Sequence, residues 1–262
     1  SDASSKFAKN YRWGYFPSVG LAWIASEEKF MSGLKDKIDY LKVKTSWGKF
    51  GNDKIGNYLM YPQINPRGQQ VVVNNVTYYL PTQSNHPDTT LHWEVITEFD
   101  AGVEVQFLKN RLKLDLDYYN KVTSDLLSYV DRNAGEYAFD ITNIGAIRNS
   151  GFEFILSWND KIGDFNYGMS VNGATLKNTV LELGNNNADI ISSNYHRTSV
   201  GHSVGAIYGY VQEGVFQTQE EIDNYYPSPW VSKPGDIKYK DINGDEKITS
   251  ADRTFIGQTI PT

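Results

Sequence analysis

Hydrophobic and polar residues alternate in short stretches along the first 177 residues of the chain. In Leu112-Lys113-Leu114-Asp115-Leu116, for example, every second residue is apolar and the residues between are charged. Successive side chains of a β-strand point to opposite faces, so this period of two predicts strands with one apolar and one polar face. The clearest stretches are 41–47, 99–107, 112–118, 152–158 and 165–171, with a shorter one at 19–25.

The connections between these strands differ in length. Turns at 109–111 and 161–163 join two pairs of strands into tight hairpins, whereas 50–92, 125–145 and the chain from 178 onward predict long loops rich in Pro, Gly, Asn and Tyr. Aromatic residues collect near the strand ends. Short turns on one side, long loops on the other and aromatic strand ends are typical of an outer-membrane β-barrel. We therefore predict an all-β fold, an antiparallel transmembrane β-barrel segment with long extracellular loops.

The number of strands indicates that the barrel is larger than this segment. About six strands are recognisable, whereas known barrels need about eight to close, and an open sheet edge is not tolerated in lipid. We expect barrel strands and loops over 1–177, a long extracellular loop region over 178–257, and the start of the next strand at 258–262.

The amino-acid composition excludes several kinds of site and partner. The 262 residues include no cysteine, 14 % are aromatic and the net charge is −6. The absence of cysteine excludes disulfides, thiolate metal sites and cysteine nucleophiles. A mildly acidic chain without a basic cluster is not expected to bind nucleic acid.

Residues 241–252 match the spacing of a twelve-residue calcium loop. Oxygen ligands fall at the expected positions, with Lys247 offering its backbone carbonyl, and the residues concerned are Asp241, Asn243, Asp245, Lys247 and Asp252. Glu246 replaces the glycine of the sharp turn, and Asp252 replaces the bidentate glutamate, as in the dockerin variant. We predict a structural Ca²⁺ that pins the loop. The alternative is a hairpin with an Asn243-Gly244 turn and a solvated acidic tip.

Three other features of the loop region predict structure or chemistry. Gly201-His202-Ser203-Val204-Gly205 matches the nucleophile elbow of esterases, but no histidine follows it to act as a base, so no catalytic residue is predicted.

Thr218 and Glu221 form a capping box that predicts a short helix at 219–226. Six loop aromatics could stack on a sugar, contact a partner or pack on one another: Tyr208, Tyr210, Phe216, Tyr225, Tyr226 and Trp230.

The chain also resembles the SusC/RagA-type TonB-dependent outer-membrane transporters. The resemblance runs in order through 11–19, 26–30, 41–52, 115–127, 149–153, 208–216, 234–245 and 252–257, and is most specific from Pro234-Gly235-Asp236 to Asn243-Gly244-Asp245. It implies the later part of a 22-stranded barrel, located in the outer membrane among its lipids. It also implies a plug domain absent from this chain that contacts the TonB complex, a SusD-like surface lipoprotein as partner, and an oligosaccharide or peptide as substrate.

Two functions follow from these observations. The first is TonB-dependent import of nutrients, glycans or peptides, without covalent chemistry. Asp115, Asp117, Glu104 and Glu153 would then face the lumen. The alternative is a soluble, calcium-stabilised β-sandwich that binds carbohydrate or serves in adhesion, since sandwich strands also alternate.

Overall fold

The computed structural model describes residues 1–83, 87–130, 140–184 and 186–259. The chain forms two compact units, residues 1–186 and residues 187–261. Within the described residues, none of the helices combines the length and the apolar character needed to cross a membrane.

The first unit consists of strands and short 3₁₀ helices. Its strands are β1 (Asp2–Ala3), β2 (Trp13–Gly14), β3 (Ser18–Ile24), β4 (Ile38–Asn52), β5 (Ile64–Val73), β6 (Val76–Gln83), β7 (Glu94–Phe107), β8 (Leu112–Ser124), β9 (Leu127–Val130), β10 (Asp140–Asn143), β11 (Ala146–Ile162), β12 (Phe165–Ala174) and β13 (Lys177–Glu182). The 3₁₀ helices are Lys9–Tyr11, Ala25–Glu27 and Lys29–Leu34.

Seven of these strands form one antiparallel sheet in the order β12-β11-β8-β7-β4-β3, with β13 pairing the first part of β11. The register aligns apolar residues across four strands, so that Val43, Val103, Leu116 and Phe154 form one row. The adjacent row is polar or small and consists of Lys44, Gly102, Asp117 and Glu153. The sheet therefore has the two chemically different faces that the alternation predicts.

The apolar face of this sheet is open. Leu21, Phe165 and Met169 are 69 %, 68 % and 69 % exposed, and all lie within β3 or β12. A β-sandwich would bury such side chains against a second sheet. In the unit of residues 1–186 they face outward, as the lipid-facing side of a barrel wall requires.

Both predicted hairpins are present, and one turn differs from its predicted position. Residues 108–111 join β7 to β8, and Leu108, Lys109 and Asn110 all have φ near +60°. The second turn is Gly163-Asp164 rather than 161–163, because Lys161 and Ile162 still pair with β12. Gly163 has φ +62°, which a glycine adopts without steric cost.

The long connections contain strands of their own. The predicted loop 50–92 includes the hairpin β5–β6, whose turn residues Asn74 and Asn75 have φ values of +51° and +61°. The predicted loop 125–145 includes the pair β9–β10. A small core of Phe7, Ile55 and Leu91 packs in this unit, and the Trp93 ring lies 5.4 Å from that of Phe7.

The second unit contains a four-stranded antiparallel sheet, a two-stranded sheet and one short α-helix. Its strands are β14 (Ile190–Ser193), β15 (His196–Thr198), β16 (Ala206–Tyr210), β17 (Gln212–Val215), β18 (Ile237–Tyr239) and β19 (Arg253–Gly257), and its helices are α1 (Gln219–Asp223) and a 3₁₀ turn at Ser250–Asp252. The four-stranded order is β14-β15-β16-β19, and β17 pairs β18. The strand start expected at 258–262 falls largely outside the described residues.

Helix α1 begins where the capping residues predict and ends earlier than expected. The Thr218 side chain accepts a hydrogen bond from the Glu221 nitrogen at 3.2 Å, which satisfies one free N–H of the first turn. The helix ends at Asp223, and Tyr225 then donates to the Ile222 carbonyl in a tighter turn.

Candidate functional site

Charged side chains gather on the polar face of the seven-stranded sheet. Lys44 Nζ lies 3.0 Å from a carboxylate oxygen of Asp115 and 3.0 Å from one of Asp117. Lys42 Nζ lies 2.9 Å from Glu104 Oε1. The three strands β4, β7 and β8 contribute these groups because every second residue of each strand points to this face.

Gly102 makes room for this arrangement. In the register of the sheet it stands between Lys44 and Asp117, and a β-carbon at this position would collide with the Asp117 carboxylate. The absence of a side chain therefore lets Lys44 reach across β7 to β8.

A groove of about 740 Å³ runs along the polar face. Its side chains are mostly ionisable or amide groups, and they include Lys44, Glu98, Asp100, Asp117, Lys121, Asn149 and Glu153. Three of the four residues predicted to face the lumen lie on β7 and β8 and the fourth, Glu153, on β11. The register places all four on this charged face.

The second unit contains a cleft of about 650 Å³ with aromatic walls. The Trp230 ring centre lies 5.1 Å from that of Tyr210 and 5.5 Å from that of Tyr239. Tyr225 lies 5.4 Å from Phe216 and 5.0 Å from Tyr226. The residues that line the cleft are Phe216, Ile222, Asp223, Tyr225, Tyr226, Pro227, Ser228, Trp230, Val231, Ser232, Gly235, Asp236, Ile237, Tyr239 and Ile248.

Tyr225 is held firmly in this wall. Its hydroxyl lies 2.9 Å from Glu213 Oε2 and 2.6 Å from the Tyr239 carbonyl oxygen. Burial, followed by the hydrogen bond to the Glu213 carboxylate, raises the pKa of the Tyr225 hydroxyl well above its ordinary value. Lys238 Nζ sits 4.5 Å from the centre of the same ring.

The structure brings five of the six predicted loop aromatics together and separates the sixth. Tyr208 lies on β16, where the Arg197 guanidinium stacks 3.8 Å from its ring centre and Phe255 packs at 5.2 Å. Tyr239 joins the cluster although sequence reasoning did not single it out. The available signal was the alternation Ile237-Lys238-Tyr239, which predicts a strand that turns both apolar side chains to one side.

The acidic loop 241–252 is folded around its own carboxylates. Asp241 accepts hydrogen bonds from the nitrogens of Gly244 at 2.8 Å and Glu246 at 2.9 Å. Asn243 Oδ1 accepts from the Asp245 nitrogen at 2.9 Å. One carboxylate oxygen from each of Asp241, Asp245 and Asp252 lies within 4.8 Å of the other two.

Asp252 is the fully buried member of this group. Its two oxygens accept hydrogen bonds from the Thr249 nitrogen at 2.7 Å and the Ile242 nitrogen at 3.0 Å. The bond from Thr249, with those from Ile242 and Asn243, holds the pKa of the Asp252 carboxyl below its ordinary value. This carboxylate therefore links the first few and the last few residues of the loop by hydrogen bonds.

The loop residues fit a hard divalent cation. Glu246 has φ +60°, so it adopts the left-handed conformation that a glycine supplies at the equivalent position of a calcium loop. Asp241, Asp245 and Asp252 would each offer a carboxylate oxygen to such an ion. Asn243 and the Lys247 carbonyl stay predicted ligands, and the Lys247 nitrogen donates to Asp245 at 3.0 Å. Bound there, a cation would supply cross-linking of the loop and no reaction chemistry.

The esterase-like motif has no catalytic geometry. Ser203 is buried in the turn before β16, and the His202 ring stacks on Phe255 with ring centres 3.7 Å apart. A nucleophile elbow must expose its serine to substrate. Ser203 does not meet that requirement.

Comparison with known proteins identifies the family. Residues 1–251 match the family model described as TonB dependent receptor-like, beta-barrel. The chain is 31 % identical over 274 residues to TonB-dependent receptor P3 of Formosa agariphila, and the alignment covers 99 % of this chain and 27 % of that protein. It is 30 % identical over 267 residues to TonB-dependent receptor SusC of Bacteroides thetaiotaomicron, and this alignment covers 96 % of this chain and 25 % of that protein.

A solved structure agrees on the fold. The RagAB peptide importer in its closed-closed state superimposes with a TM-score of 0.75 at 21 % identity, over 97 % of this chain and 27 % of that one. The chain spans about a quarter of the length of these relatives. The relatives are receptors and transporters rather than enzymes, which agrees with the absence of a predicted catalytic residue.

The family match, the structural likeness and the two-faced sheet confirm the predicted barrel segment and its SusC/RagA resemblance. The chain therefore belongs to the TonB-dependent receptor family, as part of the β-barrel domain that these receptors place in the outer membrane.

Proposed function

We propose that this chain forms part of a transporter that imports a nutrient, a glycan or a peptide, across the outer membrane. The observation that carries the proposal is the seven-stranded sheet, which is apolar and exposed on one face and charged on the other. Such a wall suits a protein with lipid outside and an aqueous lumen inside. The groove around Lys44 and Asp117 then belongs to the inner surface along which cargo or a plug domain lies.

The partners follow from the same proposal. SusC and RagAB are named as a TonB-dependent receptor and a peptide importer, respectively. By analogy, this protein works with a SusD-like surface lipoprotein, and a plug domain outside this chain contacts TonB. The cleft around Trp230 and Tyr239 lies in the long loop region, where it would meet the substrate or the lipoprotein.

Deletion of the gene tests the import function. The deletion strain and its parent are grown on single glycans and single peptide mixtures as the limiting nutrient, with a tonB deletion as a matched control. Loss of growth on one nutrient class in both deletion strains supports import. Unchanged growth and uptake on every nutrient in the panel contradict it.

A structural Ca²⁺ in the loop 241–252 is a separate proposal. It rests on the oxygen donor set and on the left-handed backbone of Glu246. The full-length protein in detergent is titrated with Ca²⁺ by calorimetry, and amide exchange of the loop is followed with and without chelator. Binding that Asp245→Asn weakens supports the site, since Asp245 is exposed and offers one ligand oxygen. Absence of binding at millimolar Ca²⁺ refutes it.

A further inference from the structure

The cleft in the second unit combines apolar walls with negatively charged side chains. Aliphatic side chains line it alongside the aromatic rings, namely Ile222, Val231, Ile237 and Ile248. Asp223 and Asp236 contribute its two carboxylates. None of the described residues that line it is Lys, Arg, His, Asn or Gln.

Several polar side chains of the lining already form hydrogen bonds within the protein. Asp236 Oδ2 accepts a hydrogen bond from the Lys233 nitrogen at 2.7 Å, and Asp223 Oδ1 accepts one from Gln219 at 2.9 Å. Ser228 Oγ lies 3.0 Å from the Trp230 carbonyl oxygen. An oligosaccharide presents a hydroxyl on most of its carbons, and each hydroxyl buried without a partner is costly. Ten of the fifteen lining residues are aliphatic or aromatic, so the lining has the surface to bury an apolar group.

The charge of the cleft determines which ligand charge it favours. Lys233 and Lys247 are chain neighbours of lining residues but are not part of the lining. Lys238 is paired with Glu221 at 3.4 Å and lies over the Tyr225 ring, so its charge is already compensated. The carboxylates of Asp223 and Asp236 have no lysine or arginine beside them in the lining. Opposite charges at a binding surface attract and like charges repel, so this cleft favours a cationic ligand over an anionic one.

We propose that the cleft binds an apolar side chain of an extended peptide that carries a positive charge. The aromatic and aliphatic walls bury the side chain, and the carboxylates of Asp223 and Asp236 attract the peptide's lysine, arginine or amino terminus. This inference rests on the proposed import function, because it takes the peptide to be the cargo. A glycan or a lipoprotein surface would be a different occupant.

Calorimetry on the full-length transporter in detergent tests the proposal. The probes are a hexapeptide of Leu and Lys, the same peptide with Glu in place of Lys, and a neutral glucose hexasaccharide. We expect the Leu/Lys peptide to bind most tightly, with an affinity that falls as salt screens the carboxylates. Trp230→Ala should weaken it about tenfold, as loss of a central aromatic contact does. Tyr195→Ala, an exposed aromatic of the same unit outside the cleft lining, is the matched control.

A charge-reversal pair separates binding from folding. Val231 lines the cleft yet is 92 % exposed, so substitutions there leave packing intact. We expect Val231→Lys to weaken binding of the Leu/Lys peptide about threefold and Val231→Glu not to weaken it, within the range of exposed charge pairs.

Three results would overturn the assignment. These are equal affinity for the Leu/Glu peptide, hexasaccharide binding that Trp230→Ala abolishes, or loss of a co-purifying lipoprotein in Trp230→Ala with peptide affinity unchanged. Nutrient uptake by the parent strain distinguishes failure of this inference from failure of the proposed import function. If uptake is intact while the cleft variants leave peptide affinity unchanged, only this inference fails. If no nutrient is taken up while peptide binding depends on Trp230, the import function fails and the cleft assignment stands.

Discussion

The backbone nitrogen of Ile248 donates a hydrogen bond to the carbonyl oxygen of Pro227 at 2.8 Å. Ile248 belongs to the acidic loop, and Pro227 belongs to the wall of the aromatic cleft. The Ile248 side chain is buried and also lines that cleft. A change that loosens the loop should therefore reach the cleft through this residue.

Acid should loosen the loop through Asp252. The pKa of this carboxyl is lowered in the folded state, chiefly by the Thr249 N–H, so the ionised form stabilises the fold at pH above the ordinary value of 3.8. That contribution is lost as pH falls below 3.8 and through the lowered pKa. Amide exchange of residues 242–252, corrected for the intrinsic rate, should show falling protection in this range.

Asp252→Asn is the control for that experiment. An amide cannot accept at both of its heavy atoms, so one N–H of Thr249 or Ile242 loses its partner. We expect weaker protection at neutral pH and a smaller further loss in acid than in the wild type. A wild-type loop whose protection is unchanged through this pH range would contradict the role given to Asp252.

Glu246→Gly should stabilise the loop. Glu246 has φ +60°, a left-handed conformation that costs an L-residue about 1–2 kcal/mol. Glycine avoids this cost but loses some of the gain to the entropy of its unfolded chain, so about 0.5–1 kcal/mol should remain. Local opening measured by amide exchange tests this, with Glu246→Ala as the control that keeps the strain.

Tyr225→Phe should weaken the cleft wall. The substitution removes the hydroxyl, whose single proton is shared between the Glu213 carboxylate and the Tyr239 carbonyl, and leaves the ring in place. Loss of this hydrogen bonding should cost about 1 kcal/mol. Exchange of the β17 and β18 amides measures the effect, with Tyr226→Phe in the same cluster for comparison. An equal effect of both substitutions would mean that the Tyr225 hydroxyl has no special role.

Neighbouring residues of β11 should respond oppositely to a charge. Leu156 pairs with Leu114 and Val171 on the apolar face, whereas Ser157 pairs with Lys113 and Ser170 on the polar face. Leu156→Arg places a charge toward lipid and should cost about 2–4 kcal/mol near the bilayer centre, whereas Ser157→Arg should be tolerated. The amount of heat-modifiable protein in the outer membrane reports both. Equal loss of both variants would argue against the assignment of the faces.

Lys44 should matter more to the wall than Lys42. Lys44 pairs with Asp115 and Asp117 at 3.0 Å and Glu104 at 3.6 Å, whereas among the described residues Lys42 pairs with Glu104 alone. Lys44→Gln leaves carboxylates facing one another and should cost about 1 kcal/mol after allowance for partial exposure. Thermal unfolding in detergent should show a larger decrease for Lys44→Gln than for Lys42→Gln, and high salt should narrow the difference.

Short-range patterns in the sequence predicted a large part of this structure. The alternation around Leu116 located the strands and their faces, and Thr218 located the start of α1. The predictions were least accurate where the chain had further pairing partners. The loop 50–92 contains the hairpin β5–β6 because Asn74 and Asn75 adopt left-handed conformations, which asparagine tolerates but does not require. The loop 125–145 contains the paired strands β9 and β10.

Whether a feature was determined by the sequence alone or by the tertiary structure depends on how far apart in the chain the interacting residues lie. Strand faces and the spacing of Asp241, Asn243 and Asp245 depend on neighbours a few residues away, so the order of residues determined them. The contact between Lys44 and Asp117 spans 73 residues and depends on strand register. The packing of the Trp230 ring against that of Tyr239, and the separation of Tyr208 from that cluster, depend on which strands pair. Only packing of distant segments decides such contacts, because local backbone geometry leaves strand order and register free.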